Sequence, residues 1–266
     1  MALAPDGTRA AITRIDQNPV LWLVDFSRGT STRFTFDSNS SSAVWSADGS
    51  HLIYSSSKNS GFDDLYQKAA NGASDEKLLL KSDENKYPTS WSRDGRFLLY
   101  QALDSNTGKS SLWALPLEDD RKPFPLLRTA FNNDYGRYSP DRRWGAYVSD
   151  ESGRDEIYVR EFSPNSTAAA SGSGGKWLIS TGGGTRARWS GDGKELYYQA
   201  PDGKLMAVEV ATNPAFRAGL SKALFQAPSS DWDVTPDGKR FLFAVPTKNE
   251  LTPFTLVMNW QAELKK

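Results

Sequence analysis

The chain has 266 residues, and its 32 basic side chains balance 32 acidic ones, so nothing in its charge draws it to nucleic acid or to an anionic membrane. It has no cysteine and a single histidine, His51, which excludes disulfides, thiolate metal sites, cysteine nucleophiles and multi-histidine metal centres. Nine Trp, ten Tyr and thirteen Phe suit the interfaces between packed sheets, where flat side chains bury much apolar area.

No apolar run approaches the roughly 18 residues that a membrane helix needs. The opening, Met1-Ala2-Leu3-Ala4-Pro5-Asp6-Gly7, lacks the basic and apolar segments of a signal peptide. It begins inside a repeat, and the expectation is a fragment or mature chain cut from something longer.

The repeat is a strand end, a tight turn and a second strand, as in Trp91-Ser92-Arg93-Asp94-Gly95-Arg96-Phe97-Leu98-Leu99-Tyr100. Its turn aspartates are Asp6, Asp48, Asp94, Asp141, Asp192 and Asp237, spaced 42, 46, 47, 51 and 45 residues apart. A strand-rich period of roughly 40–50 residues signals propeller blades. Each period continues with an apolar strand such as Leu52-Ile53-Tyr54 or Glu195-Leu196-Tyr197-Tyr198. A further strand follows, such as Leu21-Trp22-Leu23-Val24 or Glu156-Ile157-Tyr158-Val159, and a short outer one closes most periods, as Lys77-Leu78-Leu79-Leu80 does. β-Branched and aromatic runs bounded by Gly, Asn, Asp and Ser fit strands. The segment Thr167-Ala168-Ala169-Ala170, between Pro164 and a Ser/Gly run, reads as a loop.

In the turn, Ser and Asp side chains accept bonds from backbone N–H groups, and the next Gly takes a positive φ without steric cost. The fourth unit has Arg142 in place of that Gly, and a locally altered turn is expected there because a left-handed Cβ-bearing residue costs about 1–2 kcal/mol. The Trp that precedes three of the turns (Trp45, Trp91 and Trp189) is expected on the innermost strand, packed between blades. The expected architecture is all-β: a six-bladed β-propeller of four-stranded antiparallel blades in one domain, residues 1–266, with units near 1–40, 41–84, 85–130, 131–183, 184–228 and 229–266. The seam between the first and last blades is expected to be incompletely closed, leaving a sheet edge open to another chain.

Tyr138-Ser139-Pro140-Asp141 followed by Ala146-Tyr147-Val148-Ser149-Asp150-Glu151-Ser152-Gly153-Arg154-Asp155-Glu156-Ile157-Tyr158-Val159 resembles the TolB-type, WD-like β-propeller repeat. The tail from Phe254 to Lys266 is similar to the end of propellers fused to bacterial serine/threonine kinases of the eukaryotic type. That resemblance implies a sensory or protein-interaction module with a protein partner, and an extracytoplasmic, periplasmic setting. No kinase signature and no Gly-x-Ser-x-Gly elbow occurs in the chain. The expectation is therefore a non-enzyme without cofactor, with two alternatives: the propeller part of a prolyl-oligopeptidase-like peptidase, or a small-ligand-binding propeller.

Residues preceding each turn should approach a central channel. They include Lys86, Tyr87 and Asp134, and the candidate binding set at the channel mouth is Tyr135, Arg137, Arg186, Arg188, Asp231, Trp232 and Asp233. Convergent polar groups at a concave mouth can bind a small molecule or a partner. The alternative is interblade pairing, because Arg186 and Arg188 occupy the repeat positions of Asp231 and Asp233. His51 reads as a solvated surface residue. The acidic residues Asp63, Asp64, Asp150, Glu151, Asp155 and Glu156 could offer oxygen to calcium, but hairpin hydrogen bonding accounts better for Asp64 and Glu156.

Overall fold

A computed structural model describes residues 1–15, 17–36, 39–59, 61–118, 121–162, 175–245 and, as backbone, 255–257. The first blade is β1 (Ala2–Leu3), β2 (Arg9–Ile15), β3 (Pro19–Asp25) and β4 (Thr30–Arg33). The second is β5 (Ser40–Trp45), β6 (His51–Ser56), β7 (Asp64–Ala69) and β8 (Lys77–Leu80). The third is β9 (Asn85–Trp91), β10 (Phe97–Leu103), β11 (Ser110–Pro116) and β12 (Phe124–Leu127). The fourth is β13 (Asn133–Tyr138), β14 (Trp144–Ser149), β15 (Glu156–Glu161) and β16 (Lys176–Leu178). The fifth is β17 (Thr185–Trp189), β18 (Glu195–Gln199), β19 (Lys204–Ala211), β20 (Arg217–Ala218) and β21 (Lys222–Gln226). A last sheet holds β22 (Trp232–Val234), β23 (Phe241–Phe243) and β24 (Thr255–Val257). All pairings are antiparallel between strands adjacent in sequence, except that β21 pairs β19.

The expectation of six four-stranded blades is corrected. Five blades are complete, and the last repeat forms a sheet of three strands, with no fourth strand beside β24 among the described residues. The fifth blade departs in the other direction. Its β19 is eight residues long and takes β20 at one end and β21 at the other.

Strand alternation explains how the sheets stack. Successive side chains of a strand point to opposite faces, so each second strand feeds two cores at once. Leu98 packs with Ile53 and Leu65 of the blade before it, whereas its neighbour Leu99 packs with Tyr138 and Tyr147 of the blade after it. Leu196 and Tyr197 divide in the same way. Each such side chain, fully buried, contributes about 1.5–3 kcal/mol. The ring closes on itself, because Leu242 of β23 packs against Ala10, Ile12 and Val24 of the first blade. The seam is thus filled at its apolar centre, and what the last sheet lacks is an outer strand.

The turns repeat in atomic detail. Ser46 Oγ donates to Asp48 Oδ1 at 2.6 Å, Ser50 N donates to the same oxygen at 3.0 Å, and Gly49 has φ +68°. Ser92–Asp94, Ser139–Asp141, Ser190–Asp192 and Thr235–Asp237 repeat the first of these bonds. Arg142 does not alter its turn. It takes the left-handed conformation, φ +65°, its N–H reaches Ser139 O at 2.9 Å as the glycines do, and its guanidinium pairs with Asp94 of the preceding turn.

Two of the three Trp residues before turns tie blades together, whereas Trp91 Nε1 donates to Gly95 O of its own turn at 3.1 Å. Trp45 Nε1 donates to Ala2 O at 2.9 Å, and Trp189 Nε1 donates to Arg137 O at 3.2 Å. Each crosses from one innermost strand to the one before it.

Candidate binding site at the channel mouth

The innermost strands β1, β5, β9, β13, β17 and β22 line the channel, and β1 lies against β22. Four of them carry one extra residue relative to the second strand of their sheet. The register slips between Ser41 and Val44, between Pro88 and Ser90 where they face Tyr100 and Leu99, between Asp134 and Arg137, and between Thr185 and Arg188. A bulge bends the strand and re-aims a side chain. In three of these bulges, the residue six before the turn aspartate has positive φ: Ser42 at +47°, Tyr135 at +53° and Arg186 at +57°. Left-handed backbone at residues with a Cβ costs roughly 1–3 kcal/mol each and collects at binding and switch regions.

The four bulged positions meet at one end of the channel. Ser42, Pro88, Tyr135 and Arg186 line a cavity of about 270 Å³ together with Asp231, Tyr87, Thr89, Gln101, Arg137 and Arg188. A second cavity, of about 210 Å³, opens at the turn end and shares Arg137 and Arg188 with the first. Those two side chains stand between the cavities. The turn end is bridged: Arg93 Nη2 donates to Gly191 O at 2.8 Å across the blades, and Gly191 N donates to Pro236 O at 2.8 Å.

The charged groups are arranged unequally. Arg188 Nε donates to Asp233 Oδ1 at 3.0 Å, its Nη1 to Ala187 O at 3.0 Å, and its Nη2 to Trp232 O at 3.4 Å. Asp233 Oδ2 also accepts from Leu3 N at 2.9 Å, which ties the first blade to the last sheet. Arg186 stands 3.9 Å from Asp231 Oδ1, beyond hydrogen-bond length, and lies over the Tyr135 ring at 5.3 Å. Asp231 also accepts from the Met1 amino group at 2.8 Å.

Arg137 differs from both. Its Nε is sealed from water without a hydrogen-bond partner. The side chain keeps a strip of surface open to the channel, yet protein surrounds it. Burial, with the cations of Arg188 and Arg186, pulls its pKa down to about 9 against the opposing pull of Asp233. At neutral pH it remains a cation.

The sequence therefore located most of the mouth. Tyr135, Arg137, Arg186, Arg188 and Asp231 line it, and Asp233 holds Arg188. Trp232 is not at the mouth: it is fully buried, 6.2 Å from the Phe241 ring, with the Arg188 guanidinium 5.5 Å over it. Of the interblade pairings expected at the Arg/Asp positions, Arg188 makes one with Asp233 at hydrogen-bond distance, while Arg186 stands 3.9 Å from Asp231. Lys86 lies away from the channel in a buried ion pair with Asp64, Nζ to Oδ1 3.1 Å. Tyr87 does line the mouth. Burial and the Asp63 carboxylate it bonds push its hydroxyl above the ordinary value, while burial raises Asp63 itself. Asp134 is raised by burial, then by Asp155 and Asp150, with a Ser110 hydrogen bond opposing. Thr89 and Gln101 were missed; the bulge in β9 brings Thr89 there, and no local sequence pattern announces it.

Elsewhere, Glu156 holds its loop, accepting from Gly182 N at 3.1 Å, Gly183 N at 3.0 Å and Arg154 Nε at 2.9 Å, and from Ser180 Oγ. His51 Nδ1 lies 2.8 Å from Ser50 Oγ. Among the described residues no group of three or more His, Asp or Glu side chains is placed to hold a metal ion, and no helix is long and apolar enough to cross a membrane.

No family model and no curated protein matches the sequence. Solved structures do share its fold. TolB from Acinetobacter baumannii superposes with a TM-score of 0.72 at 16% identity, over 96% of this chain and 62% of that protein. A TolB from Agrobacterium tumefaciens gives 0.66 at 16% identity, over 89% of this chain and 85% of that one. A prolyl endopeptidase gives 0.58 at 13% identity, over 91% of this chain and 38% of that one. The chain thus spans about 62% of the Acinetobacter protein's length. Identities this low establish a TolB-like β-propeller fold, and a fold hosts many tasks.

Proposed function

We propose that the chain is a non-catalytic recognition module that docks a protein partner on the mouth-end face, as part of a larger signalling protein such as a bacterial serine/threonine kinase of the eukaryotic type. The observation that carries this is where four of the seven exposed large apolar side chains among the described residues stand, the other three being Leu78 and Leu178 on outer strands and Leu220 beyond β20. Ile15 ends β2, Phe36 follows β4, and Phe131 and Tyr135 lead into and begin β13, and all four are exposed. Every one of these positions is at the mouth end. Exposed apolar residues gathered at one end of a molecule, rimmed by polar groups, mark interaction surfaces. The tail that resembles kinase-fused propellers lies outside the described residues, so the kinase parent rests on that resemblance alone. An extracytoplasmic setting goes with it.

Photo-crosslinking in the native cell tests this. A benzoylphenylalanine placed at Phe131 or Phe36 should trap one protein, while the same probe at Leu220, beyond β20, should not. Equal trapping at all three positions, or none, rejects the docking face. The likeness to a prolyl endopeptidase favours a second reading, the propeller part of such a peptidase; peptide turnover by the full-length protein that a Ser substitution abolishes would establish it.

A further inference from the structure

We infer that the channel mouth binds a small oxyanion, a di- or tricarboxylate or a phosphate, between Arg137 and Arg186. The two guanidinium groups differ from Arg188 in having no carboxylate at hydrogen-bond distance. Arg188 commits one N–H from each of its three nitrogens, to Asp233 and two carbonyls. Arg186 reaches no carboxylate within hydrogen-bond length, and Tyr135 supports its flat face. Among the described residues nothing accepts a hydrogen bond from the Arg137 guanidinium, whose Nε is closed off from water.

A cation enclosed beside two further cations is costly unless an anion compensates it. Three arginines face two aspartates here, and Asp233 is already shared by Arg188, Leu3 N and Val234 N. A narrow channel with low-dielectric walls concentrates the resulting positive potential. Guanidinium groups present forks of N–H donors that match carboxylate and phosphate oxygens. Gln101, which also lines the cavity, adds an amide donor for the remaining oxygens.

Size narrows the ligand class. The cavity holds about 270 Å³, just under the roughly 300–1,000 Å³ of pockets for drug-sized ligands, so it suits an anion of modest size. This inference stands apart from the docking of a protein on the rim.

The test is calorimetric titration of the full chain with citrate, succinate and phosphate, in chloride buffer of constant ionic strength. Saturable binding of at least one is expected. Arg137→Gln and Arg186→Gln should each weaken it by about tenfold or more, the loss of a charge-assisted hydrogen bond. Arg217→Gln, on the exposed β20, should leave it unchanged. Ligand-free Arg137→Gln should melt no lower than the parent, because it removes an unpaired cation; a purely structural arginine would melt lower. If Arg137→Gln does not fold, Arg137→Lys keeps the charge without the fork and should still weaken binding. The inference is overturned if no anion binds saturably at millimolar concentration, or if the folded Arg137 variant binds like the parent. A carboxylate that binds where phosphate fails assigns the ligand to carboxylates, and the reverse assigns it to phosphates. Probes at Phe131 report on the docking face separately, so either reading can fail alone.

Discussion

Arg188 on β17 and Asp233 on β22 meet across the gap between the fifth blade and the last sheet, with Nε 3.0 Å from Oδ1 and side chains 9% and 14% exposed. The same carboxylate accepts from Leu3 N of the first blade, so one aspartate joins three sheets around the seam. Removing Arg188 as Arg188→Met leaves that carboxylate enclosed without its cation. The expected loss is about 3 kcal/mol, read by urea denaturation. A smaller loss, within the range of exposed pairs at about 1 kcal/mol or less, would show that the seam is held by Leu242 and its apolar neighbours alone.

Lys86 and Asp64 form a second enclosed pair, each about 1% exposed. Lys86 Nζ also donates to Ser82 Oγ at 3.0 Å and to Glu84 O. Lys86→Met should cost about 3–5 kcal/mol, because it strands a buried carboxylate. Replacing Asp64 and Lys86 together with apolar residues should recover part of that loss, and a double-mutant cycle measures how much.

Gly145 has its place because Phe162 lies against it. A Cβ on Gly145 would stand 1.9 Å from Phe162 Cδ2, and that ring is fully buried among Tyr138 and Tyr147. The other blades divide the same volume differently, with Leu52 beside Ala70 in one core and Leu196 beside Val210 in another. Gly145→Ala should destabilise the chain by about 1–3 kcal/mol, the usual cost of overpacking. Gly145→Ala with Phe162→Leu should restore most of it, as thermal unfolding of the pair would show.

Arg142 holds the left-handed turn position that glycine fills elsewhere. Arg142→Gly relieves a strain of about 1–2 kcal/mol and gives up the partly exposed pair with Asp94, worth about 1 kcal/mol or less. The expected net change is a small gain in stability, visible as a raised melting temperature.

The turn aspartates set the response to acid. Hydrogen bonds from Ser46 and Ser50 hold Asp48 down to about 2, and Asp192 and Asp237 are lowered chiefly by Ser190 and Thr235. Asp6 and Asp94 are lowered too, their hydrogen bonds and arginine neighbours outweighing a burial contribution that acts the other way. A carboxyl lowered by folding stabilises the fold above its unfolded pKa of about 3.9, and that contribution is lost as pH falls through the folded value. Stability should therefore decline between about pH 4 and pH 2. Asp48→Asn should be less stable than the parent at neutral pH and show a shallower decline, as denaturation midpoints across that range would reveal.

The repeat, its turns and its interblade Trp could be read from residue order alone. Each rests on local chemistry: Ser and Asp capping a turn, Gly at positive φ, and alternation that feeds two faces. The positions of the channel residues also follow from the repeat, since they stand at constant distances before the turn aspartate. Three things depended on the folded chain. One is the make-up of the sheets: five are complete, the fifth takes two outer partners on its long β19, and the last has three strands. The burial of Trp232 is another, because β22 runs without a bulge and turns that ring into the core against Phe241, leaving its neighbour Asp233 to meet Arg188. The third is the division of labour among arginines that look alike in sequence. Arg188 faces Asp233 at the matching position of the sheet after it, whereas the matching position of the blade after Arg137 is held by another cation, Arg188, and Arg137 Nε has no hydrogen-bond partner. Charge pairing is a relation between neighbours in space, and only the closed ring of sheets decides who those neighbours are.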